Sequence, residues 1–193
     1  MKPYLTNHDG RVKSAAATCV ASLASRYALL VSTVEVEYLI QLSLRQIHTT
    51  PDSTAFALLI ATVASSVLDP LILLKDQPKL RKPTRDELLA YLKLSFITGA
   101  PVAKRELITK NVSSRLVKQG VAQAHVELVR RMRGEWLEAN LTLFIAHTLS
   151  LLLDPRQAAA THQDGLHAVD SVVSIFTATL DQVSTPGLTY LST

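Results

Sequence analysis

The residues of this 193-residue chain that could carry chemistry are few and scattered. His162, Asp164 and His167 come nearest to a metal-ligand cluster. Zinc needs three or four ligands converging on one point, whereas residues i and i+5 of a helix point about 140° apart at 3.6 residues per turn. The trio therefore reads as a loop and helix-start pair, with a helical metal or enzyme domain on His162 and His167 as a rival. His147 falls beside Phe144 and Leu151 in an apolar stretch, and both it and His125 read as hydrogen-bonded core histidines. Cys19, the single cysteine, reads as a small core hydrophobe among Ala and Val neighbours. One cysteine makes no internal disulfide and no thiolate zinc set. The 6 glycines fall in no dinucleotide or phosphate-loop pattern, and no Ser or Thr stands in a nucleophile elbow. Asn111 with Ser113 and Asn140 with Thr142 match the glycosylation sequon, the second inside an expected helix. The expectation is a protein with no catalytic residue, no cofactor, no metal and no small-molecule substrate.

One charge feature stands out. Between residues 104 and 133 lie Lys104, Arg105, Lys110, Arg115, Lys118, Arg130, Arg131 and Arg133, against only Glu106 and Glu127, on a chain whose net charge is +4. Such a strip could meet phosphates, an acidic peptide or an anionic membrane surface. The favoured reading is a solvated helix face with internal ion pairs. Nucleic-acid binding gains from exposed aromatics that stack on bases, and this stretch has none, so nucleic acid is disfavoured as a partner.

These residues must be positioned by helices. Apolar residues make up 48% of the chain and aromatics 5%, which is too apolar for disorder and too poor in aromatics for a β-sandwich. The longest uncharged runs, Ser53 to Leu68 and Ala139 to Leu153, fall short of the roughly 18 to 20 residues of a membrane span. Residues 1–10 contain no apolar core of a secretory signal, so a cytoplasmic setting is expected. The first helix is predicted from Arg11 to Ser25 with a stripe of Val12, Ala16, Cys19, Val20 and Leu23. A second covers Ser32 to His48, with Val36, Leu39, Ile40, Leu44 and Ile47 on one face. A third, capped by Asp52 or Ser53, is apolar all round to Leu68, so it needs neighbours on more than one side. Residues 69–83 are a proline-rich linker, and Thr84 with Glu87 forms a capping box for a helix to Ile97. A short helix from Ala103 to Lys110 leads into one from Ser113 to Arg133, with a core stripe of Val117, Val121, Ala124, Leu128 and Met132. Gly134 is placed to end it in the left-handed conformation. The next helix, Glu135 to Leu153, buries Leu137, Leu141, Phe144, Thr148 and Leu151 and stops before Pro155. The last runs from Asp164 to Val183, and residues 184–193 are a polar tail.

The expected fold class is therefore all-α, one unit over residues 1–183. Val12, Lys13, Ala16 and again Val117, Lys118, Val121 place an apolar, a basic and a small or apolar residue as in the second helix of a HEAT repeat. At about 40 to 47 residues per unit, the chain holds four or five of them in an open, armadillo-type superhelix of antiparallel helix pairs.

The segment from Val121 to Asp170 carries a more particular likeness. Val121, Gln123, Ala124, Gly134, Trp136, Leu137, Glu138, Phe144, His147, Leu149, Leu151, Pro155, Arg156, Thr161, His162 and Asp164 resemble an N-terminal portion of the HEAT repeat-containing protein 5 family, the large accessory proteins of clathrin adaptors. Thr84, Asp86, Glu87 and Leu88, and the Asp9 to Leu23 stretch, fit the same region more loosely. Gly134, Trp136, Phe144, His147 and Pro155 are its structural anchors. The resemblance implies a non-enzymatic scaffold, peripheral at trans-Golgi and endosomal membranes, that supports adaptor and clathrin recruitment, retrograde transport, endocytosis and protein localisation. Its implied partners are the clathrin adaptor complex and the accessory proteins of that complex. Members of that family are much longer, so this chain is expected to be a fragment of such an array, a truncated gene product or a divergent short paralogue.

Overall fold

Backbone and side-chain hydrogen bonds open the first long helices. The structure, a computed structural model, describes residues 2–26, 33–50, 53–68, 85–98, 115–154 and 162–184. After the short α1 (Lys2–Leu5), the Arg11 N–H donates to Asp9 Oδ1 at 2.8 Å and the Lys13 N–H to the Asp9 carbonyl at 3.1 Å, which opens α2 (Gly10–Arg26). After α3 (Thr33–Thr49), the Ser53 carbonyl accepts from the Ala57 N–H at 2.9 Å and opens α4 (Thr54–Leu68). α5 (Arg85–Thr98) starts one residue beyond Thr84. Then follow α6 (Arg115–Arg131), α7 (Gly134–Ala139), α8 (Leu141–Leu153) and α9 (His162–Ser184). The linker 69–83, the Thr84 cap, the helix at 103–110, Pro155 and the tail from 185 onward lie outside the described residues. Among those described there is no strand, and the protein is all-helical.

The core forms around the two most enclosed helices. α4 is apolar on every side, and Phe56, Leu59, Ile60 and Ala64 are fully buried because α2, α3 and α6 surround it. Burying one such large side chain stabilises by about 1.5 to 3 kcal/mol. The stripes expected on α3 (Val36, Leu39, Ile40, Leu44, Ile47) and α6 (Val117, Val121, Ala124, Leu128, Met132) are all buried. Where α6 crosses α3, a Cβ on Gly120 would run into the Ile47 side chain. Only a glycine allows that approach without displacing its neighbour. α2, α4, α6 and α9 touch in succession, α5 reaches both α6 and α8, and α8 packs on α9.

Three local expectations are corrected. On α2 the buried residues are Lys13, Ala17, Ala21 and Ala24, one position on from the expected stripe, while Leu23 and Cys19 are exposed. A one-residue offset turns the face by about 100°. Three alanines on that face suit a close approach to the large side chains of α4, since helix separation follows the side chains at the contact. Next, the helix expected from Glu135 to Leu153 is interrupted at Asn140, whose Nδ2 donates to the Trp136 carbonyl at 2.8 Å and whose backbone leaves the helical region. An Asn side chain that bonds nearby backbone offers the chain this alternative to continuous helix. Finally, Gly134 has no positive φ and serves as the first residue of α7, following Arg133 in extended conformation.

α9 packs through Ala168, Val172, Ile175 and Thr179. Its hydroxyls turn inward on its own backbone: Ser171, Ser174, Thr177 and Thr179 donate to the carbonyls of His167, Asp170, Val173 and Ile175 at 2.7 to 3.0 Å.

Candidate functional site

The most concentrated side-chain chemistry lies where α6 meets α8. Phe144 on α8 is buried and carries His147 one turn further on, while His125 on α6 is fully buried. A carbonyl can only accept, so the 2.8 Å contact between His125 Nδ1 and the Val121 carbonyl fixes the proton on Nδ1. His125 Nε2 then accepts from the His147 Nε2–H at 3.0 Å, with the two rings stacked at 5.3 Å. Burial, then the neighbouring His125, then Lys93 push the His147 pKa down to about 3. Burial also lowers that of His125, against a smaller opposing effect of its bond to Val121. Both rings are therefore neutral at pH 7. The expectation of hydrogen-bonded core histidines holds, but their partnership across 22 residues of sequence is new. The arrangement links α6 to α8, which share α5 and α9 as neighbours. His125 is fully buried and His147 half-buried.

The basic strip is divided by the structure. Lys104, Arg105 and Lys110 lie outside the described residues. Arg115 and Lys118 stand in the first turn of α6 and Arg130 and Arg131 in its last, roughly 18 Å apart at 1.5 Å per residue. Arg115 reaches His167 Nδ1 at 3.4 Å. Arg130 pairs with Glu127 at 3.0 Å, and the same Glu127 oxygen accepts from Gln123. Arg131 and Arg133 are exposed. The last-turn arginines also complement the negative end of the helix dipole. The cations thus form two groups with an acid between them.

Between α6 and α9 runs an open cleft of about 230 Å³, lined by Gln119, Gln123, His167, Asp170, Ser171 and Ser174 among others. The two serine hydroxyls give their protons to backbone carbonyls, so toward a guest they act as acceptors. The cleft offers amides, acceptor oxygens, an imidazole and one carboxylate beside Ala122 and Val126. His162 is part of α9, and among the described residues no group of three His, Cys, Asp or Glu side chains could hold a metal ion.

Of the other anchors, Trp136 and Phe144 are buried. Pro155 lies outside the described residues. Among the described residues, no helix is long and apolar enough to cross a membrane. No family model matches the chain, and no solved structure matches it significantly.

Proposed function

We propose that this chain is a non-enzymatic helical scaffold of HEAT type, a segment that presents surfaces to clathrin-adaptor components at trans-Golgi and endosomal membranes. The observation that supports the reading is the order of helix contacts. α2, α4, α6 and α9 touch in sequence, and α3, α5 and α8 lie against the helices that follow them, as expected for two rows of antiparallel helices stacked in repeats. The resemblance around Gly134, Trp136, Phe144 and His147 supplies the family and hence the trafficking role. The α6/α9 cleft fits a polypeptide better than a small substrate.

The test is binding of the purified chain to purified clathrin adaptor complex, measured by calorimetry at two salt concentrations. Saturable binding that survives physiological salt and weakens on Gln123→Ala supports the proposal. No adaptor binding, together with DNA affinity that falls steeply between low and physiological salt, would replace it with the nucleic-acid reading of the basic residues.

A further inference from the structure

α9 has two apolar faces. Opposite the side that packs on the core, Leu166, Val169, Val173 and Leu180 are 46 to 64% exposed. Their spacings of three, four and seven keep them in one stripe along the helix. Contiguous apolar surface of this kind on a soluble fold marks a place where something docks. The charges say what it is. α9 contains Asp164, Asp170 and Asp181 and no Lys or Arg. At the other end of the series of contacting helices, α2 contains Arg11, Lys13 and Arg26 and no acid. Its outward face carries a row of small residues, Ala15, Thr18 and Ser22, bounded by exposed Arg11 and Arg26, with Cys19 and the exposed Leu23 along one edge. At 1.5 Å per residue the α9 stripe from Leu166 to Leu180 is about 21 Å long, close to the roughly 23 Å that separates Arg11 from Arg26, with the small residues filling the middle of that span. α9 against a second α9 would set acids facing acids, which disfavours a wrong pairing. α9 against α2 sets acids facing arginines and large side chains facing small ones.

We propose that copies of this chain associate head to tail, the outer stripe of α9 docking on the outer face of α2 of the next copy. Such a contact uses different surfaces on its two sides, so it propagates into rows of copies and does not stop at a dimer.

The single cysteine provides the test. α2 and α9 of one molecule are separated by α4 and α6, too far for a disulfide within one molecule, since each helix-to-helix step is about 8 to 10 Å. A Val173→Cys variant, mildly oxidised and run on a non-reducing gel, is expected to give a ladder of dimers, trimers and longer species linked from Cys19 to position 173. The Cys19→Ser/Val173→Cys double variant is expected to stay monomeric. Dimers in the double variant would show α9 meeting α9 and overturn the proposal. A Val173→Cys protein that stays monomeric or stops at dimers would overturn it as well. As a second reading, Arg11→Glu with Arg26→Glu should weaken concentration-dependent assembly in light scattering at least tenfold at low salt. Adding Asp170→Arg and Asp181→Arg to that chain should restore it, and failure of the swap to restore assembly would count against the pairing.

Discussion

Along α6, apolar side chains, a glycine and a histidine are enclosed by α3, α4, α5 and α9; along α9, one face is enclosed and the opposite one carries four large apolar side chains in water. Both helices are amphipathic by sequence. What differs is how many neighbours the topology gives them. α6 takes its tolerance for change from steric fit against four neighbours, so its buried residues are bound to their sizes. α9 is held from one side, and its outer residues are free of the fold and available for contact with other molecules.

The largest effect that sharpens this contrast is expected beside α9, at the buried Trp136 of α7. Trp136→Ala should cost about 3 to 5 kcal/mol by loss of a large core side chain, read as a lowered midpoint in urea. Within the two helices, Leu128→Ala on α6 should cost about 2 to 5 kcal/mol, whereas Val173→Ala on α9 should stay within about 0.5 kcal/mol in the monomer. Equal losses for the two would break the comparison.

The histidine pair adds a pH dependence to the enclosed region. His147 stays neutral in the fold down to about pH 3 but takes a proton near pH 6.5 once unfolded. Between those values the unfolded state binds more protons, so stability falls as pH drops from 6.5 toward 3, by about 1.4 kcal/mol per pH unit for this group. It is fully present above pH 6.5. His125, shifted in the same direction, steepens the slope. Denaturant titrations at pH 7.5 and 5 should show the loss, and His147→Ala should flatten it. A flat profile in the unaltered protein would mean the pair is exposed or already charged.

The smallest contrast is between two glycines. Gly120→Ala forces a methyl into Ile47 and should cost about 1 to 3 kcal/mol by overpacking, less the gain of roughly 1 kcal/mol in helix propensity. Gly134→Ala meets only the Gln182 carbonyl at 3.6 Å, an ordinary contact, and should be neutral within about 0.5 kcal/mol. Thermal melts of the two variants decide it, and a larger loss at Gly134 would reverse the assignment of which glycine is sterically required.

Helix existence and the faces of α3, α4 and α6 were legible in the sequence because their apolar residues are large and their periodicity has one solution. α2 was misread because alanine carries little hydrophobic signal, so Val12, Cys19 and Leu23 outweighed the small residues that allow close packing. The break at Asn140 was hidden by apolar periodicity that runs on across it, and an Asn between two helical stretches was the available cue. At the site, His125 was recognisable as buried and His147 as a neighbour of Phe144, but their pairing depends on how α6 and α8 are brought together through α5 and α9, which no local pattern encodes. Gly120 was missed for the same reason: its partner Ile47 is remote in sequence.

The hydroxyls of α9 carry a consequence for solvation. A serine or threonine side chain moved out of water ordinarily loses hydrogen bonds and pays for it. Thr177, exposed near the outer stripe, already donates to the Val173 carbonyl, and Ser174 donates to the Asp170 carbonyl. Each has its donor satisfied by a bond that moves with the helix, so a surface that dehydrates these two positions leaves no hydroxyl proton unmatched, and only their lone pairs and the carboxylates of Asp170 and Asp181 still ask for donors.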